Sequence, residues 1–104
     1  MTGSATGDDM ETGDDVQRLS AWVHGHVQGV GFRWWTRSRA LELGLVGHAS
    51  NQRDGRVHVV AEGSRAQLES LLAALESGST PGRVDLVVHD YGPARGDHCT
   101  FLER

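Results

Sequence analysis

Between His24 and Arg33 the chain reads HGHVQGVGFR, with three glycines in seven positions and an arginine where an apolar three- and four-residue periodicity begins. A glycine-rich turn running into a helix aims several main-chain N–H groups at one point, and the helix dipole adds positive character there. Gly25, Gly29 and Gly31 can supply positive φ angles and close backbone approach. Arg33 stands in the first turn, where its planar fork matches two oxygens of a phosphoryl group. Charge-assisted bonds of that kind contribute about 1.5 to 3 kcal/mol each. The residues by themselves leave two readings open, an anion cradle or a plain strand-to-helix turn.

Spacing excludes two other phosphate-binding patterns. A Walker loop needs a Gly-Lys pair, and the chain contains no lysine. A dinucleotide fingerprint starting at Gly29 needs glycine or alanine at position 34, where Trp34 stands. Six histidines raise the question of a metal, His24 and His26 most directly, but no acidic or cysteine ligand lies near them in sequence and no metal site is expected.

The elements that must hold this loop can be read on either side of it. Leu19 to Val23 forms a short strand, and Phe32, Trp35, Thr36, Ala40 and Leu43 mark one face of a helix that Gly44 ends. Leu45 to Asn51 and Arg56 to Glu62 are extended, and Asp54-Gly55 between them signals a hairpin. Ser64 and Gln67 form a capping box that opens a second helix, with Leu68, Leu71, Leu72 and Leu75 as its buried stripe. From Arg83 to Asp90, Val84, Leu86 and Val88 alternate onto one strand face, and Thr100 to Leu102 adds a short strand carrying Phe101. The order strand, helix, strand, strand, helix, strand predicts an α+β domain, an antiparallel sheet with two helices on one face. Cys99, the sole cysteine, is expected to be a small buried apolar residue.

Charge divides the chain. Residues 1–17 hold five acids and no basic group, a composition expected of a disordered acidic tail, whereas residues 18–104 form one domain with ten arginines against nine acids. So balanced a body lacks the basic field that draws nucleic acid. The apolar runs are too short for a membrane span, and no secretory signal is expected, which leaves a cytoplasmic protein.

From Val23 to Gly63 the sequence, VHGHVQGVGFRWWTRSRALELGLVGHASNQRDGRVHVVAEG, resembles the acylphosphatase family, whose signature couples a G-x-V-Q-G-V-x-F-R loop to later G-x-x-x-N, D-G-x-V and E-G runs. The resemblance implies a ferredoxin-like βαββαβ sandwich that hydrolyses acyl phosphates to a carboxylate and inorganic phosphate, with no cofactor and no metal. It further implies that main-chain amides of Gln28, Gly29, Val30, Gly31 and Phe32 cradle the phosphate, that Arg33 binds it, and that Asn51 orients the attacking water. The expected partner is a small-molecule acyl phosphate, with no nucleic acid and no membrane, acting on a monomer. In Gly47-His48-Ala49-Ser50-Asn51 the chain departs from the family's usual larger residue after the glycine, where His48 stands, and from the frequent basic residue next to the asparagine, where Ser50 stands, which bears on rate and substrate fit. Two other classes compete: a catalytically silent anion-binding or regulatory domain, and an RNA-binding domain in which GVGFRWW would have to lie on a strand.

Overall fold

The computed structural model describes residues 15–104. Seven elements follow in order: β1 (Val16–His26), α1 (Phe32–Glu42), β2 (Val46–Asn51), β3 (Val57–Ser64), α2 (Arg65–Leu75), β4 (Arg83–Pro93) and β5 (Phe101–Glu103). The strands lie in the order β4-β1-β3-β2-β5. β1 is antiparallel to both β3 and β4, and β2 is antiparallel to β3. The expected α+β, ferredoxin-like arrangement is present. The sheet is mixed rather than wholly antiparallel, because β5 pairs with β2 in parallel.

Alternation of side chains makes one sheet face apolar. Leu19, Ala21 and Val23 of β1 meet Val57, Val59 and Ala61 of β3, and this layer packs with Phe32 and Ala40 of α1 and Leu68, Leu71 and Leu75 of α2. Full burial of each such leucine contributes about 1.5 to 3 kcal/mol. Helix ends follow the sequence signals. Ser64 and Gln67 exchange both bonds of the capping box, while Gly44, at φ 75°, lets Leu45 N–H reach Ala40 O and Gly44 N–H reach Leu41 O, the two bonds of a Schellman motif.

Three expectations are corrected. β1 begins at Val16, paired with Ser64, so Val16 and Gln17 belong to the sheet and not to the acidic tail; the rest of that tail, residues 1–14, lies outside the described residues. Cys99 is exposed, because it sits on a crossing segment rather than in a strand facing the core. In β4 the phase breaks: His24 pairs with Leu86 but Gly25 with Val84, leaving Asp85 as an extra residue. Val84 and Val87 therefore both pack toward the core, while Leu86 and Val88 are 53% and 49% exposed.

Residues 94–100 connect the two edges of the sheet by crossing the face that the helices leave open. Glu62, outward-facing on β3 yet only 3% exposed, anchors the crossing. Its carboxylate accepts from Arg18 Nε at 2.7 Å, Arg95 N–H at 2.9 Å and Gly96 N–H at 3.0 Å. Burial alone would raise this carboxyl, but the bonds from Arg95, Arg18 and Gly96 together outweigh it and hold the group below its ordinary 4.5. Folding thus favours the ionised form, whose stabilisation is present above pH 4.5 and lost as pH falls through the depressed value. Glu62→Ala strips three donors of their acceptor and should cost about 2 to 4 kcal/mol in urea unfolding at neutral pH, with the deficit shrinking in acid. A deficit independent of pH would show that Glu62 acts through packing rather than charge.

Candidate active site

The glycines of the HGHVQGVGFR loop divide by function. A Cβ at Gly25 would lie 2.0 Å from Arg83 O, so this glycine serves the close approach of β1 to β4 at the bulge. Gly29 and Gly31 instead hold positive φ, 74° and 83°, with nothing within 4 Å of an added Cβ. Their role is backbone shape beside open space. Gly31 is the N-cap of α1, in the left-handed region, and provides no side-chain cap; the first turn of the helix contains no acidic residue. The N–H groups of Gly29, Val30, Gly31 and Phe32 meet no acceptor among the described residues. A helix N-terminus in this condition attracts an anion.

Phe32 is buried and fixes the start of α1 to the core, which leaves Arg33, the next residue, half-buried at the rim. Arg33 Nη1 donates to the main-chain oxygen of Arg104 at 2.5 Å. Asn51 N–H donates to the same oxygen at 3.3 Å, while Arg104 N–H returns a bond to Ala49 O at 2.8 Å. The two side chains singled out in the sequence, 18 positions apart by number, are thus joined through one oxygen supplied by the residue after β5. Asn51 ends β2 with its side chain exposed, free to address a ligand or water.

Gln28 acts in a way the sequence did not show. Its side-chain Nε2 spends both hydrogens on the hairpin between β2 and β3, donating to Gln52 O at 2.7 Å and to Arg56 O at 2.9 Å. The hairpin is itself stiffened by Asp54, which accepts from Arg56 N–H at 3.1 Å and Arg56 Nε at 2.7 Å. The Gln28 bonds tie the loop to the hairpin that follows the strand end bearing Asn51. Trp34 is 61% exposed beside Arg33, whereas Trp35 packs against the core.

The sequence pattern of the acylphosphatase family matches residues 19–101. The chain belongs to the acylphosphatase family. An acylphosphatase of Nocardia farcinica is 71% identical over 92 residues, covering 88% of this chain and 91% of that protein. Among solved structures, acylphosphatase from Bacillus subtilis superposes with a TM-score of 0.79 at 29% identity, over 85% of this chain and 98% of that one. An acylphosphatase from Coxiella burnetii does so with a TM-score of 0.79 at 31% identity, over 91% and 100%. These acylphosphatases share with this chain the sheet and helices that bring loop, Arg33 and Asn51 to one end.

Two further contributors had no local signal. Arg104 reaches the site only because β5 pairs in parallel with β2, a long-range event. Arg37, one helical turn beyond Arg33, donates to Phe101 O at 3.2 Å and so holds β5 against α1. Gln28→Leu should leave the fold intact but weaken binding of inorganic phosphate about tenfold or more, since two hairpin bonds worth about 1 kcal/mol each are lost. Unchanged affinity by calorimetry would mean that the loop keeps its shape without the hairpin.

Proposed function

We propose that this chain is a metal-independent acylphosphatase, splitting the carboxyl–phosphate bond of acyl phosphates into a carboxylate and inorganic phosphate. The observation that carries the reading is the meeting of Arg33 and Asn51 at one oxygen beside an uncapped helix N-terminus. In this reading the non-bridging oxygens of the phosphoryl group lie on the amides of residues 28 to 32 and on the Arg33 fork. Asn51 accepts a hydrogen bond from water through its amide oxygen and steers it through its amide hydrogen.

Water oxygen then bonds to phosphorus as the bond from phosphorus to the acyl oxygen breaks. The carboxylate leaves with the electron pair, and the water proton passes to a phosphate oxygen. An amide cannot serve as a strong base, and none is needed, because a carboxylate is a good leaving group. Positioning and preorganised charge supply the acceleration. Loop, arginine and asparagine all come from one chain, which supports action as a monomer. Among the described residues no helix is long and apolar enough to cross a membrane, and we place the enzyme in the cytoplasm.

An RNA-binding role is disfavoured by position. GFRWW opens α1 instead of lying on a strand, and residues 94–100 cross the sheet face on which bases would stack. The test is hydrolysis of benzoyl phosphate in EDTA. Wild type should turn over, and Arg33→Ala should lower kcat/KM about a thousandfold while abolishing inhibition by inorganic phosphate. Asn51→Ala should lose turnover to a similar degree but keep phosphate binding. Phosphate binding without any wild-type turnover would favour a silent anion-binding domain, and loss of both properties in folded Asn51→Ala would refute the water-orienting role.

A further inference from the structure

On the outward sheet face, three histidines gather around the middle of β2, whose far end carries Asn51. His48 of β2 places Nδ1 3.0 Å from Nε2 of His98 on the crossing segment. His58 of β3 meets the His48 ring edge-on at 6.1 Å between centroids, with its own Nε2 2.8 Å from Ser20 Oγ and its ring stacked on Trp22. The rings of His98 and His58 touch His48 directly, and the positive charges that act on it come from Arg104 after β5 and Arg18 of β1. The nearby acids face elsewhere. Asp97 lies 2.9 Å from His98 Nδ1 and 3.2 Å from Arg18, and Glu62 is engaged by Arg18, Arg95 and Gly96. Neither helix is on this face.

Arg104 therefore has two relations to β2. The register that sets Leu102 beside His48 puts Arg104, two residues further on, on the same outward face, while the Arg104 main chain bonds Ala49 and offers its oxygen to Asn51 and Arg33. The ring contact between His48 and His98 needs one N–H and one lone pair, and protonating both rings sets N–H against N–H. His98 has little room to turn away, its side chain being 7% exposed. We propose that His48 is a positioning residue for the active site, neutral when Arg104 lies between Arg33 and Asn51, and that its protonation repels Arg104 and disturbs the join.

Burial, followed by the charges of Arg104, His98, His58 and Arg18, lowers His48 from 6.5 to about 4. Between those values the unfolded chain binds more protons than the folded one, so stability falls as pH drops from 6.5 toward 4. Arginine and asparagine side chains do not titrate in this range. A mildly acidic loss of the join thus originates outside the residues that would touch substrate.

The test combines nuclear magnetic resonance with kinetics on the whole chain, over the pH range in which circular dichroism shows it folded. In wild type, the main-chain N–H signals of Asn51 and Arg104 should shift with the same midpoint as the His48 ring, and in His48→Gln that shift should vanish. The kinetic arm rests on the acylphosphatase reading: the ratio of wild-type to His48→Gln turnover of benzoyl phosphate, in which ionisation of the substrate cancels, should fall from neutral pH to about half at the His48 midpoint, where half of the rings are protonated, and further below it. Signals of Asn51 and Arg104 that ignore the His48 ring, a shift that persists in the variant, or a flat ratio would each overturn the proposal. A shared midpoint in a wild type that hydrolyses nothing would support the coupling and overturn the acylphosphatase reading instead. Should His48→Gln fail to fold, His98→Gln removes one facing ring and should move the joint midpoint upward; an unmoved midpoint overturns the proposal.

Discussion

A helix begun by a left-handed glycine instead of a serine or aspartate leaves its first N–H groups without acceptors, and much of the structure is arranged around that deficit. The missing cap at Gly31 would be a plain loss of stability on an ordinary surface helix. Here the surrounding contacts keep the bare terminus in shape without filling it. Phe32 is sunk in the core directly behind it, and Gln28 ties its flank to the hairpin. Arg33 is turned toward the rim by the same first helical turn. An anion placed there would meet N–H groups that have no acceptor among the described residues.

Holding such a site requires long-range contacts, and this governs how much of it the sequence could reveal. The loop, the helix from Phe32, the hairpin at Asp54-Gly55 and the capping box at Ser64 each rest on neighbours within a few positions. They were legible for that reason. Arg33 and Asn51 stood out by residue type and by the resemblance of their surroundings to a known motif. What joins them was hidden, because Arg104 arrives by a crossing of the sheet whose landing point depends on Glu62, Arg18 and His48, residues from three different strands. The side-chain bonds of Gln28 were hidden for the same reason, since both acceptors are main-chain oxygens with no mark in the sequence. Misreading β4 had a separate cause: simple alternation assumes an unbroken pleat, and one extra residue reverses every side chain after it.

The two sheet faces divide the labour. The helical face supplies stability by apolar burial and is almost free of charge, with Thr36 the polar residue of α1 within it. The opposite face carries the ionisable groups and the crossing segment, so that the final strand is fixed from below by Phe101 and from above by polar contacts. Because β5 has only three residues, its own ladder could not fix its place unaided. Its position is a property of the whole sheet.

The irregularity at Asp85 matters beyond the packing of Val84 and Val87. β4 is an outermost strand, so one row of its peptide groups faces outward, beside the exposed side chains of Leu86 and Val88. A straight, uninterrupted strand of that character is a template on which other chains can lengthen the sheet without limit. With a residue out of step near its start, the regular border of β4 is confined to the stretch from Leu86 to Pro93, shorter than the strand itself. The bulge at Gly25, required by the close approach of β1 to β4, thus also shortens the straight border that the sheet presents to a neighbouring chain.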